Sequence, residues 1–416
     1  MSVQLSSKYS TNQPYHVYYT LDLLNNDQNA PIIPVVFNYS ENRNNPFLNS
    51  PENYFMSIVR FNVQTADLPD FLPSIATGSA NTHGYNQTNY AITLSYLYSG
   101  TTYTTSVPIM YVSNDLTTTP PSSYPNLTLN DVTSDYYLMG NLGSFAPLIN
   151  TAFSLAYLGG NLSDGTVVTG VRQKVITAGL AAGSISANPP FVEYDPVQRV
   201  FILNADIATA LISGFQTDPA GTTVAGWSVS TKIYFNTALA TLLYNFPQIV
   251  NFPSATVGSQ IIVYSANNTQ TYSVPSPAYT AVQVYQDGGT TAPLFNPISS
   301  IVFQTTVLPI VMEQVGTPKL TTGIVGGNNA NINPIITDFV VPISALNSFK
   351  PDITYTPSGE YRLVDMYGTT PVSNLNLILY WKDKYSQLHP FYLASGQSAS
   401  VKLMFRRKDF SNAKIF

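Results

Sequence analysis

The sequence predicts a mainly β protein, and three observations carry that prediction. Tyr, Val, Ile, Thr and Phe dominate the segments between turns, and these are the residues that fit a pleated, half-buried surface. Thirty prolines and 24 glycines cut the chain into short pieces and leave little room for long helices. Several runs also alternate between apolar and polar residues at the strand period of two.

Taken in chain order, the first thirty residues are polar and interrupted by Pro and Asn, which predicts an extended arm. Tyr54 to Gln64 reads as one long strand, stopped before Pro69. Ile92–Leu97 and Tyr103–Met110 flank Ser99-Gly100, the signature of a hairpin. Thr117–Pro125 is a Pro- and Ser-rich loop. Phe145, Leu148, Ile149, Ala152, Phe153 and Ala156 follow the 3.6-residue period, with Ser144 as N-cap and Gly159-Gly160 as the stop. Val192 to Leu203 turns at Asp195-Pro196. A second short helix is expected at Leu239, Leu242, Leu243 and Phe246, between Asn236 and Pro247. Gly323–Asn333 is a further loop. Leu375–Trp381 and Ala399–Phe405 are the last two strands.

Composition narrows the function. Only 9% of the 416 residues are charged, against a norm of about 25%. Asn, Thr, Ser, Tyr and Gln must therefore cover the surface. Neutral polar groups are cheaper to desolvate than charges, so this surface suits large permanent contacts. A secreted or extremophile β protein with a neutral surface has a similar composition. The net charge of −5 does not point to a nucleic-acid binder, but its distribution is uneven. Nine of the 17 basic residues lie from Lys350 onward, with five acids there. The cluster Phe405-Arg406-Arg407-Lys408-Asp409-Phe410 is the densest. Lys402, Arg406, Arg407, Lys408 and Lys414 are the candidate contacts to a genome, an acidic neighbour or an internal cement protein; the other reading is a solvated end after the last strand.

A catalytic or metal constellation is hard to assemble. His16, His83 and His389 are isolated in sequence, and none has a ligand partner at metal spacing. There is no G-x-S-x-G elbow and no phosphate loop; Gly326-Gly327 reads as a turn. Glu193 with Asp195, or Asp131 with Asp135, are the carboxylate pairs a glycosidase would need, but turn and ion-pair roles outnumber catalytic ones. No catalytic residue, cofactor or metal is therefore assigned. The chain has no cysteine, which is compatible with a reducing cytoplasm or nucleus. Its start lacks a signal-peptide core, and no apolar run approaches the ~18 residues of a membrane span. The five N-x-[ST] sequons, beginning at Asn38, Asn86, Asn126, Asn161 and Asn267, are expected in a chain so rich in Asn, Ser and Thr, and no glycans are assigned to them.

Five segments carry a resemblance. They are PENYFMSIVRFNVQTADLPDFLP from Pro51, the run Asn296 to Ile310, ITDFVVPIS from Ile336, ITYTPSGEYRLVDM from Ile353, and LILYWKDKYSQLHPFYLASGQSASVKLMFRRKDF from Leu377. Together they resemble the minor capsid proteins of icosahedral DNA viruses in the virophage and Polinton-like group, which are penton-type proteins built on a jelly roll. The middle, from about Pro120 to Tyr285, lies outside the resemblance. The resemblance implies a jelly-roll β-sandwich with an inserted β-rich domain carrying a few short helices. The expected division is an arm at 1–30, a discontinuous jelly roll from 31–115 with 290–405, an insertion at 116–289 and a basic tail at 406–416.

The resemblance also implies a role with no catalysis in it. The chain would be a shell component of the virion, a homopentamer at the vertices in contact with a double jelly-roll major capsid protein. The insertion would face outward, toward a host receptor. Assembly would take place in the host cytoplasm or nucleus. Two other virion roles compete with this one: a trimeric major capsid protein with two jelly rolls, and a receptor- or glycan-binding spike using the Tyr-rich middle. A polysaccharide-degrading β enzyme is the remaining alternative.

Overall fold

The protein is described from a computed structural model, which covers residues 14–26, 35–65, 68–113, 119–121, 134–206, 231–250, 258–261, 269–273, 278–288, 295–314, 332–340, 352–356 and 362–408. Lys414, Asp131, most of the 117–125 loop and nearly all of the 323–333 loop lie outside these residues.

In chain order the strands begin with β1 (His16–Leu24), β2 (Asn38–Asn42), β3 (Tyr54–Gln64), β4 (Gln87–Tyr98) and β5 (Thr101–Met110). Helices α1 (Phe145–Leu158) and α2 (Val171–Thr177) precede β6 (Phe191–Asp195) and β7 (Val200–Asp206). Then come β8 (Thr231–Phe235), α3 (Thr237–Leu242), β9 (Gln248–Val250), β10 (Ser259–Ile261), β11 (Thr269–Tyr272) and β12 (Tyr279–Tyr285). The last third holds β13 (Ile298–Gln304), β14 (Ile335–Val340), β15 (Asp352–Tyr355), β16 (Val364–Asp365), β17 (Asn374–Asp383), β18 (Leu388–Pro390) and β19 (Ser398–Arg407).

Two antiparallel sheets form the jelly roll. One runs β1–β19–β3–β15, with β16 also on β3; the other runs β14–β13–β17–β18, with β2 on β17. Strand alternation buries Val401, Leu403 and Phe405 of β19 and Met56, Phe61 and Val63 of β3. The facing sheet supplies Ile301, Phe303, Leu377, Leu379 and Trp381 to the same core. Phe61 and Phe303 meet across the gap with ring centroids 5.1 Å apart. The apolar pattern of β3 changes phase between Ile58 and Phe61. A bulge resolves this: Lys402 opposes Arg60, while the next residue, Leu403, opposes Ile58. The extra residue on β3 restores the inward direction for Phe61 and Val63.

The excursion between β3 and β13 has its own core. Its sheets run β9–β10–β8–β4–β5 and β11–β12–β7–β6. Helix α1 packs on β4, β5 and β6, between the two sheets. Phe145, Ile149 and Phe153 of α1 join Ile92, Leu94, Val107, Phe201 and Leu203 in this second cluster.

The expected hairpin is β4–β5, and both turn residues take positive φ, Ser99 at 48° and Gly100 at 77°. That is the twist a two-residue turn needs. At Asp195-Pro196 the Asp195 carboxylate accepts from the backbone N–H groups of Val197 and Gln198 at 2.8 and 3.0 Å. Gly159 stops α1 with φ 87°, and a Cβ there would sit 2.8 Å from the Val168 carbonyl oxygen.

Some expectations are corrected. Ser144 does not cap α1 with its side chain, because a 3₁₀ turn over Leu142–Ser144 carries it into helical φ/ψ; Asn141 caps that turn instead. The second helix is shorter than its periodicity suggests. Asn236 caps α3 at the Leu239 N–H, 3.1 Å away, but the helix ends at Leu242, and Leu243 and Phe246 are buried from a turn. Helix α2 has no counterpart among the sequence expectations. Within the expected extended arm at 1–30, residues 16–24 form β1, which pairs with β19 along its whole length. The hairpin β4–β5 falls within the expected 31–115 segment of the jelly roll, yet it packs in the second core, because β4 pairs with β8. The chain leaves the first core after Leu68 and enters the second at Phe71. No helix among the described residues is long and apolar enough to cross a membrane.

Replacing Phe61, which is 1% exposed and packed on Phe303 and Phe339, tests the sandwich core. Phe61→Ala is expected to destabilise the first core by about 3–5 kcal/mol in urea unfolding. A loss below about 1 kcal/mol would contradict this packing.

Candidate functional site

Because β19 sends Val401, Leu403 and Phe405 inward, Lys402 and Arg406 project from the opposite face of the sheet. Register places Lys402 between Thr20 of β1 and Arg60 of β3, and Arg406 between His16 and Phe55. The exposed side of β1 adds His16 and Tyr18. The Lys402 ammonium lies 5.3 Å from the Tyr18 ring centroid, and the Arg406 guanidinium lies 6.0 Å from that of Tyr15. Tyr18 and Tyr15 remain 55% and 43% exposed. Cations held over exposed aromatic faces keep their charge available while their direction is constrained. Lys402 and Arg60 face each other across neighbouring strands, a like-charge pairing that opposes folding. Such a pair is relieved by an anionic partner.

The other expected basic contacts differ: Lys414 lies outside the described residues, and the Lys408 ammonium, 5.1 Å from the Phe55 ring centroid, is engaged by its neighbours. Lys408 is tied down: its ammonium bonds the Asp365 carboxylate at 2.8 Å and the Met366 carbonyl at 3.2 Å. The Arg407 backbone N–H donates to the Tyr15 carbonyl at 2.9 Å. Its charge acts on Tyr54, whose pKa is raised by burial and pulled back by Arg407. Lys408 is thus a fastening at the end of the sheet. Arg60, a basic residue distant from the C-terminal cluster in sequence, takes its place beside Lys402 through strand pairing.

A second constellation sits where the two cores meet. His389 of β18 stacks on Trp381, with ring centroids 4.0 Å apart. Its Nδ1 lies 3.0 Å from Asp135 and its Nε2 lies 3.1 Å from Asp383. Asp135 belongs to the segment whose neighbours Tyr136 and Tyr137 fill the second core, whereas Trp381 belongs to the first. The imidazole therefore bridges the two. Burial alone would lower its pKa; the two carboxylates more than reverse this and push it up to about 9. Asp383 also accepts from the backbone N–H groups of Tyr385 and Gln387, both at 2.8 Å. His83 pairs with Asp164 at 2.8 Å. Neither partnership is visible in sequence; Asp135 is 254 positions from His389. Among the described residues no group of three or more His, Cys, Asp or Glu is placed to hold a metal.

Of the carboxylates considered for hydrolysis, the three among the described residues have structural partners. Glu193 accepts from the Tyr272 hydroxyl at 2.8 Å and the Asn204 amide at 3.2 Å. Asp195 closes its turn, and Asp135 binds His389.

The His389 bridge has a defined pH dependence. Its pKa is raised when folded, so its contribution is full below about 6.5, declines above that, and is lost as pH rises through about 9. The stability difference between the native chain and His389→Gln is expected to shrink by on the order of 3 kcal/mol across that window. Denaturant unfolding of both proteins at a series of pH values measures it, and a difference independent of pH would contradict the bridge.

Known proteins share this architecture. The family described as Sputnik minor capsid protein V18/19 matches residues 17–407. Structural protein V19 of Sputnik virophage is 26% identical over 185 residues, spanning 43% of this chain and 83% of that protein. A chain of the cryo-EM structure of the Sputnik virophage superposes with a TM-score of 0.68 at 21% identity, covering 96% of this chain and 100% of that one. The mavirus penton protein superposes with a TM-score of 0.55 at 14% identity, covering 94% and 99%. A match over nearly the whole length, across both cores, assigns the chain to the Sputnik minor capsid protein V18/19 family, and so makes it a structural component of the virion shell rather than an enzyme.

Proposed function

We propose that this minor capsid protein is the vertex component of its shell, assembling as a homopentamer that contacts the major capsid protein. The observation that carries the reading is the correspondence of both units, over 94% of the chain, with a penton protein. The charge-poor composition supports it, since 9% charged residues leave a surface that is easily desolvated against neighbours. In this reading the jelly roll, residues up to Leu68 and from Ile298, sits in the shell. The insertion, from about Phe71 to Phe295, faces outward toward a host receptor. The absence of cysteine suits assembly in the reducing host cytoplasm or nucleus.

The exposed face bearing Arg60, Lys402 and Arg406 is then the contact to an acidic partner inside the particle: the major capsid protein, an internal cement protein or the genome. Three cations give at most a modest, salt-sensitive attachment to phosphate, so a folded acidic surface is the better match.

Native mass spectrometry of the purified chain tests the oligomer, with five copies expected; a stable monomer at high concentration that is absent from virions would sink the reading. The double variant Lys402→Glu, Arg406→Glu is expected to fold and to keep its oligomeric state. Its binding to the major capsid protein should fall at least about tenfold, and the native binding should weaken with salt. Unchanged binding to every virion component would remove the face from the interface.

A further inference from the structure

The sheet β11–β12–β7–β6 of the insertion has two unlike sides. Val192, Phe201, Leu203, Val282 and Val284 point into the second core. The strand period turns Glu193, Asn204, Gln283 and Tyr272 to the opposite side. Three aromatic rings meet there. Tyr272 and Tyr279 oppose each other across β11 and β12, with ring planes 25° apart and centroids 5.7 Å apart. Phe191 stands edge-on to Tyr272, at 82° and 5.2 Å. Two near-parallel rings and one perpendicular ring make a corner. All three are half-buried, and they belong to neither core.

A polar network lies beside the rings. The Tyr272 hydroxyl donates to Glu193 and also lies 3.0 Å from Asn204 Oδ1. The Gln283 amide donates to Asn204 Oδ1 at 3.1 Å and to Gln270 Oε1 at 2.9 Å. The Tyr285 hydroxyl donates to Gln283 Oε1 at 3.0 Å. Asn204 and Gln283 are buried, whereas Gln270 is exposed on the edge strand β11. A ring tethered through its hydroxyl has little freedom left to lose when a ligand stacks on it. The four strands contain three carboxylates, Glu193, Asp195 and Asp206, and no Lys, Arg or His. Sulfated, sialylated or phosphorylated ligands would therefore meet repulsion. A Lys- or Arg-rich peptide would be attracted, but it is the poorer match, because the carboxylates already accept from neutral donors. Glu193 accepts from Tyr272 and Asn204, Asp206 from Ser186 and Asn188, and Asp195 from its own turn. The amides of the network combine donors and acceptors, as hydroxyl-rich ligands require. Aromatic faces beside such groups suit a pyranose, which has an apolar C–H face and a rim of hydroxyls.

We propose that this side of the insertion sheet binds a neutral glycan, with one sugar ring seated in the corner of Phe191, Tyr272 and Tyr279 and its hydroxyls bonded to Glu193 and Gln270. The role of such a site, attachment to a neutral host glycan, rests on the reading that the insertion faces outward. The binding itself is a property of the single chain.

Isothermal titration of the full chain with maltotetraose, cellotetraose and chitotetraose tests it, with 6′-sialyllactose, a heparin tetrasaccharide and an oligolysine peptide as comparisons. At least one neutral tetrasaccharide is expected to bind saturably, and the acidic sugars at least about tenfold more weakly. Tyr272→Ala and Tyr279→Ala should each weaken the neutral sugar at least about tenfold. Glu193→Gln, an isosteric change that spares the packing, should weaken it as well. Thr271→Ala, on the other side of the same strand, should leave it unchanged. Failure of all three neutral sugars to saturate, or undiminished binding in both Tyr272→Ala and Glu193→Gln, would overturn the proposal. So would a preference for oligolysine, which would mark the face as a dock for a basic peptide. Native mass spectrometry of the same sample separates the two readings: a pentamer that binds no sugar overturns this inference alone, and a sugar-binding monomer overturns the vertex assembly alone.

Discussion

The antiparallel pairing of β3 with β19 is the constraint on which the rest depends. It joins residues 54–64 to residues 398–407 and so brings the two ends of the chain into one sheet. The stretch between them leaves the sandwich once and returns to supply the facing sheet. The excursion departs after Leu68 and re-enters at Ile298, and its two further sheets close around α1 as a separate core. The pairing also makes the basic face, since Lys402 and Arg60 become neighbours only through it. One irregularity, the bulge between Ile58 and Arg60, keeps both halves of β3 facing the core. Without that extra residue, Phe61 and Val63 would turn outward, because a one-residue slip exchanges the two faces of a strand.

The junction of the two cores uses a different kind of interaction. Burying an imidazolium and a carboxylate is costly unless each is fully partnered. His389 meets this condition with a carboxylate on either nitrogen and an indole against its ring, and Asp383 meets it with one imidazole and two backbone donors. The bridge adds direction that apolar contact lacks: it fixes where the Asp135 segment meets β18. It also holds the turn of residues 383–387, through the two backbone donors to Asp383. The same few residues therefore position one unit against the other.

The scarcity of charge gives the remaining ions particular weight. Asp338 lies between Arg362 at 3.1 Å and Lys382 at 3.6 Å, and Lys408 fastens the end of β19 to Asp365. Such exposed pairs contribute little to stability singly. Their effect is to occupy cations that the sequence alone would count as available. Lys402 and Arg406 differ because their nearest partners are the rings of Tyr18 and Tyr15, which leave the charge facing outward. Among the described residues they make a cationic and aromatic face on a sheet whose other side is the jelly-roll core.

Local chemistry makes much of this fold legible in the sequence. Alternation locates β3, β17 and β19, Ser99-Gly100 locates a hairpin, Asp195-Pro196 a turn, and Gly159 the end of a helix, because each depends on residues within a few positions of one another. The segments resembling virophage minor capsid proteins identify the family for the same reason: they are contiguous runs. Tertiary structure alone decides which core each element joins, the pairing of β1 with β19, the division of the basic residues between a fastening and a face, and the His389 bridge to a residue 254 positions away. A sequence records how each residue prefers to direct its own backbone and which side of a strand it occupies. Partnership between distant strands follows from how whole sheets close over one another, and no local preference encodes it.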